Sequence, residues 1–188
     1  MPAPPLLSAL LDVVVPADEK EEADLRTLRA HAASLPDPTS RDQPVAHFTG
    51  SALVTDGARV ALVLHRKLGR WLQPGGHADP ADGGDLVCTA LREAEEETGL
   101  RVRLHHSAPR PLDVDVHAIP ARPESPAHLH LDVRFLAVAD PSAPLTVDAA
   151  ESAEVRWFSL EEALRLADDA SLRRLLGKAR RYLDPPGV

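Results

Sequence analysis

Four glutamates crowd one short segment of the chain, Arg92-Glu-Ala-Glu-Glu-Glu-Thr-Gly-Leu100. On a helix that turns about 100° per residue, Glu93, Glu96 and Glu97 share one ridge, whereas Glu95 points away from it. The ridge is strained, because Glu93 and Glu97 repel each other at i,i+4 and the last helical turns are already negative. Carboxylate oxygens favour Mg²⁺, with Mn²⁺ as an alternative. This acidic ridge is therefore either a metal site or a solvated helix face.

The residues upstream of the acidic ridge favour the metal site. Gly75 and Gly76 predict a tight turn with exposed carbonyl groups, and Arg66 and Arg70 precede that turn. Guanidinium groups at these positions could meet phosphate oxygens. Because a carboxylate-bound metal beside basic residues is the usual arrangement for phosphoryl chemistry, Arg66 and Arg70 are predicted to bind substrate.

Two rows of polar side chains on predicted strands form another candidate site. Every second residue is polar, so each row shares one face of its strand. The rows are Asp113, Asp115 and His117 on one strand, and His128, His130, Asp132 and Arg134 on the next long one. Three interpretations stay open: cross-strand charge pairs on a solvated face, substrate contacts, or a second metal site. Within these rows, Arg134 is the predicted contact to a phosphate or a ribose.

Helices and strands that position these residues alternate along the chain. Asp85 predicts the start of the acidic helix and Gly99 predicts its end. Asp56-Gly57 predicts a turn between two strands, and Ser159 to Glu162 has the spacing of a capping box. The predicted strands are 48–54, 60–64, 102–104, 112–119, 128–139 and 154–158, and a last helix spans about 172–183. The pattern predicts an α/β protein whose sheet is covered on both faces.

Composition narrows the classes of partner. A chain of 188 residues suits one domain with a terminal extension, and its net charge of −8 argues against DNA binding. No apolar run approaches the roughly 20 residues of a membrane-spanning helix, and the first residues lack the basic start of a secretory signal. The single cysteine, Cys88, fits a reducing compartment. We expect a cytoplasmic protein that acts on a small molecule and has no membrane partner.

The segment Gly76 to Leu100 resembles the Nudix box, G-x5-E-x7-R-E-U-x-E-E-x-G-U, where U is an aliphatic residue. From Arg92 onward, every specified position of the box is matched. The first half departs from it, because Asp82 stands in place of the glutamate and the arginine comes two residues late. Gly83-Gly84 would absorb this extra length in a loop. The role of the missing glutamate stays open between Asp82 and Asp85.

The resemblance implies an α/β/α sandwich around a mixed sheet. It also implies Mg²⁺-dependent hydrolysis of a nucleoside diphosphate linked to another moiety, with water attacking phosphorus. By its motif, Glu93, Glu96, Glu97 and the carbonyl of Gly75 correspond to metal ligands, and Arg92 corresponds to the arginine that orients them. A Nudix-like module that senses a nucleotide without hydrolysing it is the alternative.

Three questions stay open within the resemblance. The general base is Glu93 in one version of the family's mechanism, whereas Glu151 and Glu154 are the candidates if the base lies outside the box. Residues 1–44 predict a helical arm that precedes the Nudix domain at 45–188. That arm either forms a homodimer interface, as is common in the family, or covers one side of the sheet. The particular diphosphate derivative is the third question.

Overall fold

The structure, a computed structural model, describes residues 5–123, 125–148 and 152–183. Its α-helices are α1 (Pro5–Asp12), α2 (Glu19–Ser34), α3 (Leu86–Thr98), α4 (Leu160–Leu166) and α5 (Ala170–Ala179). Its strands are β1 (Ala46–Thr55), β2 (Arg59–His65), β3 (Arg70–Leu72), β4 (Gly75–His77), β5 (Val102–Leu104), β6 (Asp113–Ile119), β7 (His128–Ala139) and β8 (Ser152–Ser159). Short 3₁₀ helices lie at Pro80–Asp82 and Arg180–Tyr182.

The strands form one mixed sheet with the order β3-β2-β1-β7-β5, in which β4 also pairs with β1, β6 with β7, and β8 with β2. Strands β1 and β7 run parallel, from Ala46 opposite Leu129 to Thr55 opposite Val138. The other pairs are antiparallel. Because a central strand is covered on both faces, every residue of β1 is buried.

Helices cover both faces of this sheet. On one face, α1, α2 and α3 pack against a core that includes Phe48 and Phe135. On the other face, α4 and α5 pack against Leu53 and Leu136. Neighbouring residues of a strand point to opposite faces, so β1 and β7 each contribute to both cores. This arrangement confirms the expected α/β/α sandwich with a mixed sheet.

The predicted caps of the acidic helix are confirmed. The Asp85 side chain accepts a hydrogen bond of 2.8 Å from the Val87 N–H, which starts α3. Gly99 ends the helix with φ of 70°, a left-handed conformation that glycine adopts without steric cost. The capping box at Ser159 is also present and starts α4.

Both N-terminal helices lie within the segment predicted as an arm, and both pack on the core of the sheet. Helix α2 also covers the outer edge of β6, where backbone N–H groups would otherwise be unpaired. There, Glu21 accepts from the Val114 N–H at 3.3 Å and Asp24 accepts from the Val116 N–H at 3.2 Å. No helix in the described part of the chain is both long and apolar enough to cross a bilayer.

Candidate active site

Two close approaches bring the acidic ridge to the diglycine turn. Helix α3 lies so near β1 that a Cβ atom on Gly50 would be 2.8 Å from the Leu86 carbonyl oxygen. The prediction of a tight turn at Gly75 and Gly76 was wrong, because both residues lie in strand β4, which pairs with β1 and places Gly76 opposite Gly50. We keep the name diglycine turn for these two residues only. A Cβ on Gly76 would lie 2.6 Å from Cδ of Glu93. Glycine at both positions therefore allows the Glu93 carboxylate to lie directly on the turn.

Arg92 connects the ridge to the loop before it. Its Nη1 donates to Glu93 at 2.9 Å and to Glu96 at 3.0 Å. Its Nη2 donates to the carbonyl of His77 at 2.8 Å, just beyond the diglycine turn. A further ion pair joins Nη2 to Asp82 at 2.9 Å. This guanidinium fixes two carboxylates of the ridge relative to the turn, and its pKa is raised by hydrogen bonds to Asp82 and Glu93.

The open question about the first half of the box has a structural answer. Burial alone would raise the pKa of Asp82, but hydrogen bonds from Arg92, the Asp79 N–H and Thr89 outweigh it and lower that pKa. Asp82 is therefore the ionised partner of Arg92. Asp85 instead caps the helix. The shorter aspartate reaches Arg92 because the 3₁₀ helix and the glycines at 83 and 84 bring the chain back to α3.

The three ridge carboxylates differ in their surroundings. Glu97 is buried, with Oε1 accepting from the Gly75 N–H at 2.8 Å and Oε2 accepting from the Ser152 hydroxyl at 3.2 Å. The side chain of Glu93 is 12% exposed and that of Glu96 is 53% exposed. The ridge thus runs from the interior, beside the turn, out to solvent.

This donor set suits a divalent cation with a preference for oxygen. The carboxylates of Asp82, Glu93 and Glu96 contact the guanidinium of Arg92. Glu97 accepts instead from the Gly75 N–H, so the carboxylates of the site carry more charge than the guanidinium offsets. The absence of a side chain at Gly76 lets the Glu93 carboxylate approach the backbone of β4. Mg²⁺ and Mn²⁺ are the ions that such oxygen ligands select.

The predicted substrate arginines lie in three different environments. Arg66 is exposed in the turn at 66–69 between β2 and β3. Arg70 is held by Asp168 through contacts of 2.6 and 2.8 Å, and its Nη2 also lies 3.5 Å from Asp169. Its guanidinium is therefore already paired with carboxylates from the linker between α4 and α5.

Arg134 is buried, which argues against its predicted contact with a phosphate or ribose. Its Nε donates to Asp132 at 2.8 Å, and its Nη atoms lie 3.4 Å from Asp113 and from Asp115. Nη1 also donates to the hydroxyl of Ser171 on α5. A desolvated guanidinium needs such partners, and they leave it facing the protein instead of solvent.

The two predicted polar rows do pair, as β6 against β7, with His117 opposite His130. Their charged members are not solvated, since Asp113, Asp115 and Asp132 are buried. Desolvation raises the pKa of Asp113. Burial would also raise the pKa of Asp115, but hydrogen bonding to His117 and the charge of Arg134 lower it. The aspartates of the two rows thus form cross-strand charge pairs with Arg134, as one of the three interpretations expected, but these pairs are buried and not solvated.

The histidine half of the rows belongs to a larger cluster. Ring centroids lie 4.8 to 5.3 Å apart for neighbouring members, and the five are His47, His77, His117, His128 and His130. Burial, reinforced by the neighbouring imidazoles, lowers the pKa of His77 to about 4 and that of His130 to about 2. The rings of His77 and His130 are therefore neutral near pH 7. His47 was not predicted from the sequence, although its alternation with Thr49 and Ser51 on β1 was a signal.

Glu151 and Glu154 are the candidate general bases outside the box. Glu151 lies outside the described residues, and Glu154 forms an ion pair with Arg156. Trp71 of β3 packs edge-on against Phe158, with ring centroids 4.8 Å apart. Neither Glu154 nor Trp71 is thus an addition to the acidic ridge of Glu93, Glu96 and Glu97.

Comparisons with known proteins agree with this geometry. Residues 45–178 match the family model of the NUDIX domain. CMP-5'-(N-acetyl-N-hydroxy-3-aminopropyl)phosphonate hydrolase of Streptomyces rubellomurinus is 33% identical over 132 residues, a match that covers 64% of this chain and 57% of that protein. A NUDIX-family hydrolase from Clostridium perfringens has a similar structure, with a TM-score of 0.53, 28% identity and coverage of 73% of this chain and 96% of that one.

A similar fold is found in the C. elegans Ap4A hydrolase, solved as a binary complex. Its TM-score is 0.50 at 20% identity, with 72% of this chain and 96% of that chain covered. The match to the domain model extends over most of the chain and includes the loop, the turn and the acidic helix described above. The chain belongs to the Nudix hydrolase family.

Proposed function

We propose that this protein is a Mg²⁺-dependent pyrophosphohydrolase that cleaves a small nucleoside diphosphate derivative by attack of water on phosphorus. The observation that carries the proposal is that Glu93 and Glu97 lie against Gly76 and Gly75, while Arg92 joins Glu96 to Glu93. A helix face that is merely exposed to solvent would not need these contacts with the segment before the helix.

The proposed metal ligands are Glu93, Glu96, Glu97 and the carbonyl oxygen of Gly75. Bound Mg²⁺ would offset the charge of the diphosphate and make a bound water more acidic. Arg92 is a positioning residue, since it contacts the carboxylates and the loop carbonyl. Its ion pair with Asp82 keeps its orientation constant.

Glu93 is the proposed general base. Its carboxylate lies on the turn beside Gly76, with its side chain largely shielded from solvent. It would take the proton of the attacking water, while the hydrogen bond from Arg92 keeps the Glu93 carboxylate in position. Glu154 is the alternative base outside the box, and its carboxylate pairs with Arg156.

The substrate class is proposed from chemistry and from similarity together. The relative from S. rubellomurinus is named for a compound in which CMP is joined to a phosphonate, and the C. elegans neighbour is named for Ap4A. Both names describe nucleotides with a second phosphorus group. Arg66, in its exposed turn, is the proposed phosphate contact, whereas Arg70 would have to leave Asp168 to take that role.

The experiment is turnover with Mg²⁺ on a panel of nucleoside diphosphate derivatives, among them a dinucleoside polyphosphate, ADP-ribose and a CMP-linked phosphonate. Products are separated and identified by mass. We expect a nucleoside monophosphate from at least one compound, loss of this product with EDTA, and its recovery with added Mg²⁺. Binding of a panel member without cleavage of any would contradict the proposal and favour a nucleotide-sensing module.

A further inference from the structure

We propose that His47, His128 and His130 form a second metal site, which takes a divalent ion that prefers imidazole nitrogen, with Zn²⁺ as the expected ion. One ligand nitrogen from each of the three side chains lies within 4.8 Å of the others. Tetrahedral zinc with bonds of about 2.0–2.1 Å needs nitrogens roughly 3.4 Å apart. The ligand nitrogens therefore need to approach one another by up to about 1.4 Å to hold an ion.

The register of the central strands creates this site. His47 on β1 lies opposite His130 on the parallel strand β7, and His128 precedes His130 by two residues on the same face. Gly50, which contacts α3, points to the other face of β1. The histidine site is thus separated from the acidic ridge by the sheet itself.

His47 supplies an independent observation. The residue is 2% exposed, and neither ring nitrogen has a partner at full hydrogen-bond geometry among the described residues. The backbone of Gln43 interacts with the ring, but burial outweighs this interaction and lowers the pKa of His47. Buried polar atoms are normally paired, because leaving them without a partner is costly. The ring lies 4.9 Å from the rings of both His128 and His130, so a shared ion would engage one of its nitrogens.

Hydrogen bonds already orient the other two rings. Nδ1 of His128 lies 2.8 Å from the carbonyl oxygen of Pro126, to which it donates, and this leaves the Nε2 lone pair for a metal. Nε2 of His130 lies 3.2 Å from Nε2 of His77. Metal-binding histidines typically have one nitrogen anchored in this way, because the anchor selects the tautomer and holds the ring.

The ion also has a route to the site. A cavity of about 210 Å³, lined in part by Arg41, Pro44 and Pro126, reaches His128. Uncharged imidazoles suit Zn²⁺, Co²⁺ or Ni²⁺, whereas Mg²⁺ prefers the oxygens of the acidic ridge. The two sites therefore differ in ligand chemistry and can be filled separately.

The test is titration of the metal-free protein with Co²⁺ and with Zn²⁺ in a large excess of Mg²⁺, which occupies the oxygen site. We expect one equivalent of Co²⁺ to give visible absorption bands, and Zn²⁺ to displace it. Saturating Zn²⁺, at about 100 times its dissociation constant, should raise the melting temperature by roughly 5–10 °C.

His128→Gln is the main variant, because His128 lies partly exposed at the end of β7 and its loss leaves the core intact. His47→Asn is the second, checked for folding by circular dichroism. Each should weaken metal binding at least tenfold, while His106→Gln, in the exposed half of the stacked pair with His105, should not. Binding unchanged in His128→Gln, or no binding of either ion by the unmodified chain, would overturn the proposal.

Discussion

Arg92 holds together carboxylates that would otherwise repel one another. It contacts Glu93 and Glu96 on the ridge, together with Asp82 and the His77 carbonyl on the loop. Glu97 is fixed separately by the Gly75 N–H and Ser152. Each side chain is thus held in place by protein contacts. Because the ridge keeps a net negative charge, these fixed carboxylates favour binding of a cation.

Loss of charge at a single proposed metal ligand should impair catalysis without unfolding the protein. We expect Glu96→Gln and Glu97→Gln each to lower kcat at least about a hundredfold at saturating Mg²⁺, because metal coordination is lost. Glu95→Gln is the matched control, since Glu95 lies on the same helix but accepts from the Val102 N–H away from the ridge. Steady-state kinetics on the identified substrate measure the effect, and near-normal rates in both ridge variants would refute the ligand assignment.

The diglycine turn offers a test based on space instead of charge. A methyl group on Gly76 would lie 2.6 Å from Cδ and 2.7 Å from both carboxylate oxygens of Glu93. We expect Gly76→Ala to lower kcat by about tenfold to a hundredfold, because Glu93 must move by up to about 1 Å. Thermal melting should change little, since the end of a flexible side chain can shift. Activity equal to that of the unmodified protein would mean that this position of Glu93 is not needed.

At the scale of elements, strand β1 lies between the acidic ridge and the histidine cluster. One of its faces packs against α3 and approaches it most closely at Gly50. Its other face carries Thr49 and Ser51, which hydrogen-bond Asp132 at 3.0 and 2.6 Å, and ends at His47. Because successive side chains alternate, one strand serves the acidic ridge on one side and the histidine cluster on the other.

Two glycines, one inside a helix and one at a helix end, should respond in opposite ways to replacement by alanine. Gly177 lies inside α5, and a methyl group added there would have no neighbouring atom within 4 Å, so Gly177→Ala should raise the free energy of unfolding by about 0.5–1 kcal/mol. Gly99 has φ of 70° and a Cβ there would lie 2.6 Å from Cβ of Thr146. Gly99→Ala should therefore lower stability by about 1–3 kcal/mol. Urea unfolding gives both values, and equal effects would contradict the reasoning.

At the scale of the whole molecule, a buried charge network joins three elements. Arg174 on α5 donates to Asp113 on β6 at 2.7 and 3.0 Å, and its Nε lies 3.6 Å from Glu21 on α2. Lys178 also pairs with Glu21. Both C-terminal and N-terminal helices are thus tied to the same strand, which explains how segments far apart in sequence fold as one unit.

Breaking this network should cost far more than breaking a surface pair. We expect Arg174→Leu to lower the free energy of unfolding by about 3 kcal/mol or more, since it leaves buried carboxylates short of a partner. Arg26→Gln, which removes the exposed pair with Glu22, should cost less than about 1 kcal/mol. Chemical denaturation of both variants checks the difference. Arg134 at 3.4 Å and Lys178 at 3.6 Å also face Asp113, and a small effect of Arg174→Leu would show that these two cations suffice.

Much of the architecture could be predicted because its signals are local. The cap at Asp85, the stop at Gly99 and the capping box at Ser159 act within one helical turn. The spacing of Glu93, Glu96 and Glu97 places them on one ridge of any helix that forms there. The fold class followed from the alternation of such elements, and the family from the order of residues along one segment.

Contacts between distant residues needed the tertiary structure. Arg134 was expected to meet substrate, yet the pairing of β6 with β7 and the packing of Ser171 on α5 enclose it. The parallel register of β1 and β7 brings His47 to His130 across more than 80 residues of chain. A strand pattern determines which face a side chain takes, but only the packed sheet and its covering helices decide whether that face meets water, a charge or another imidazole.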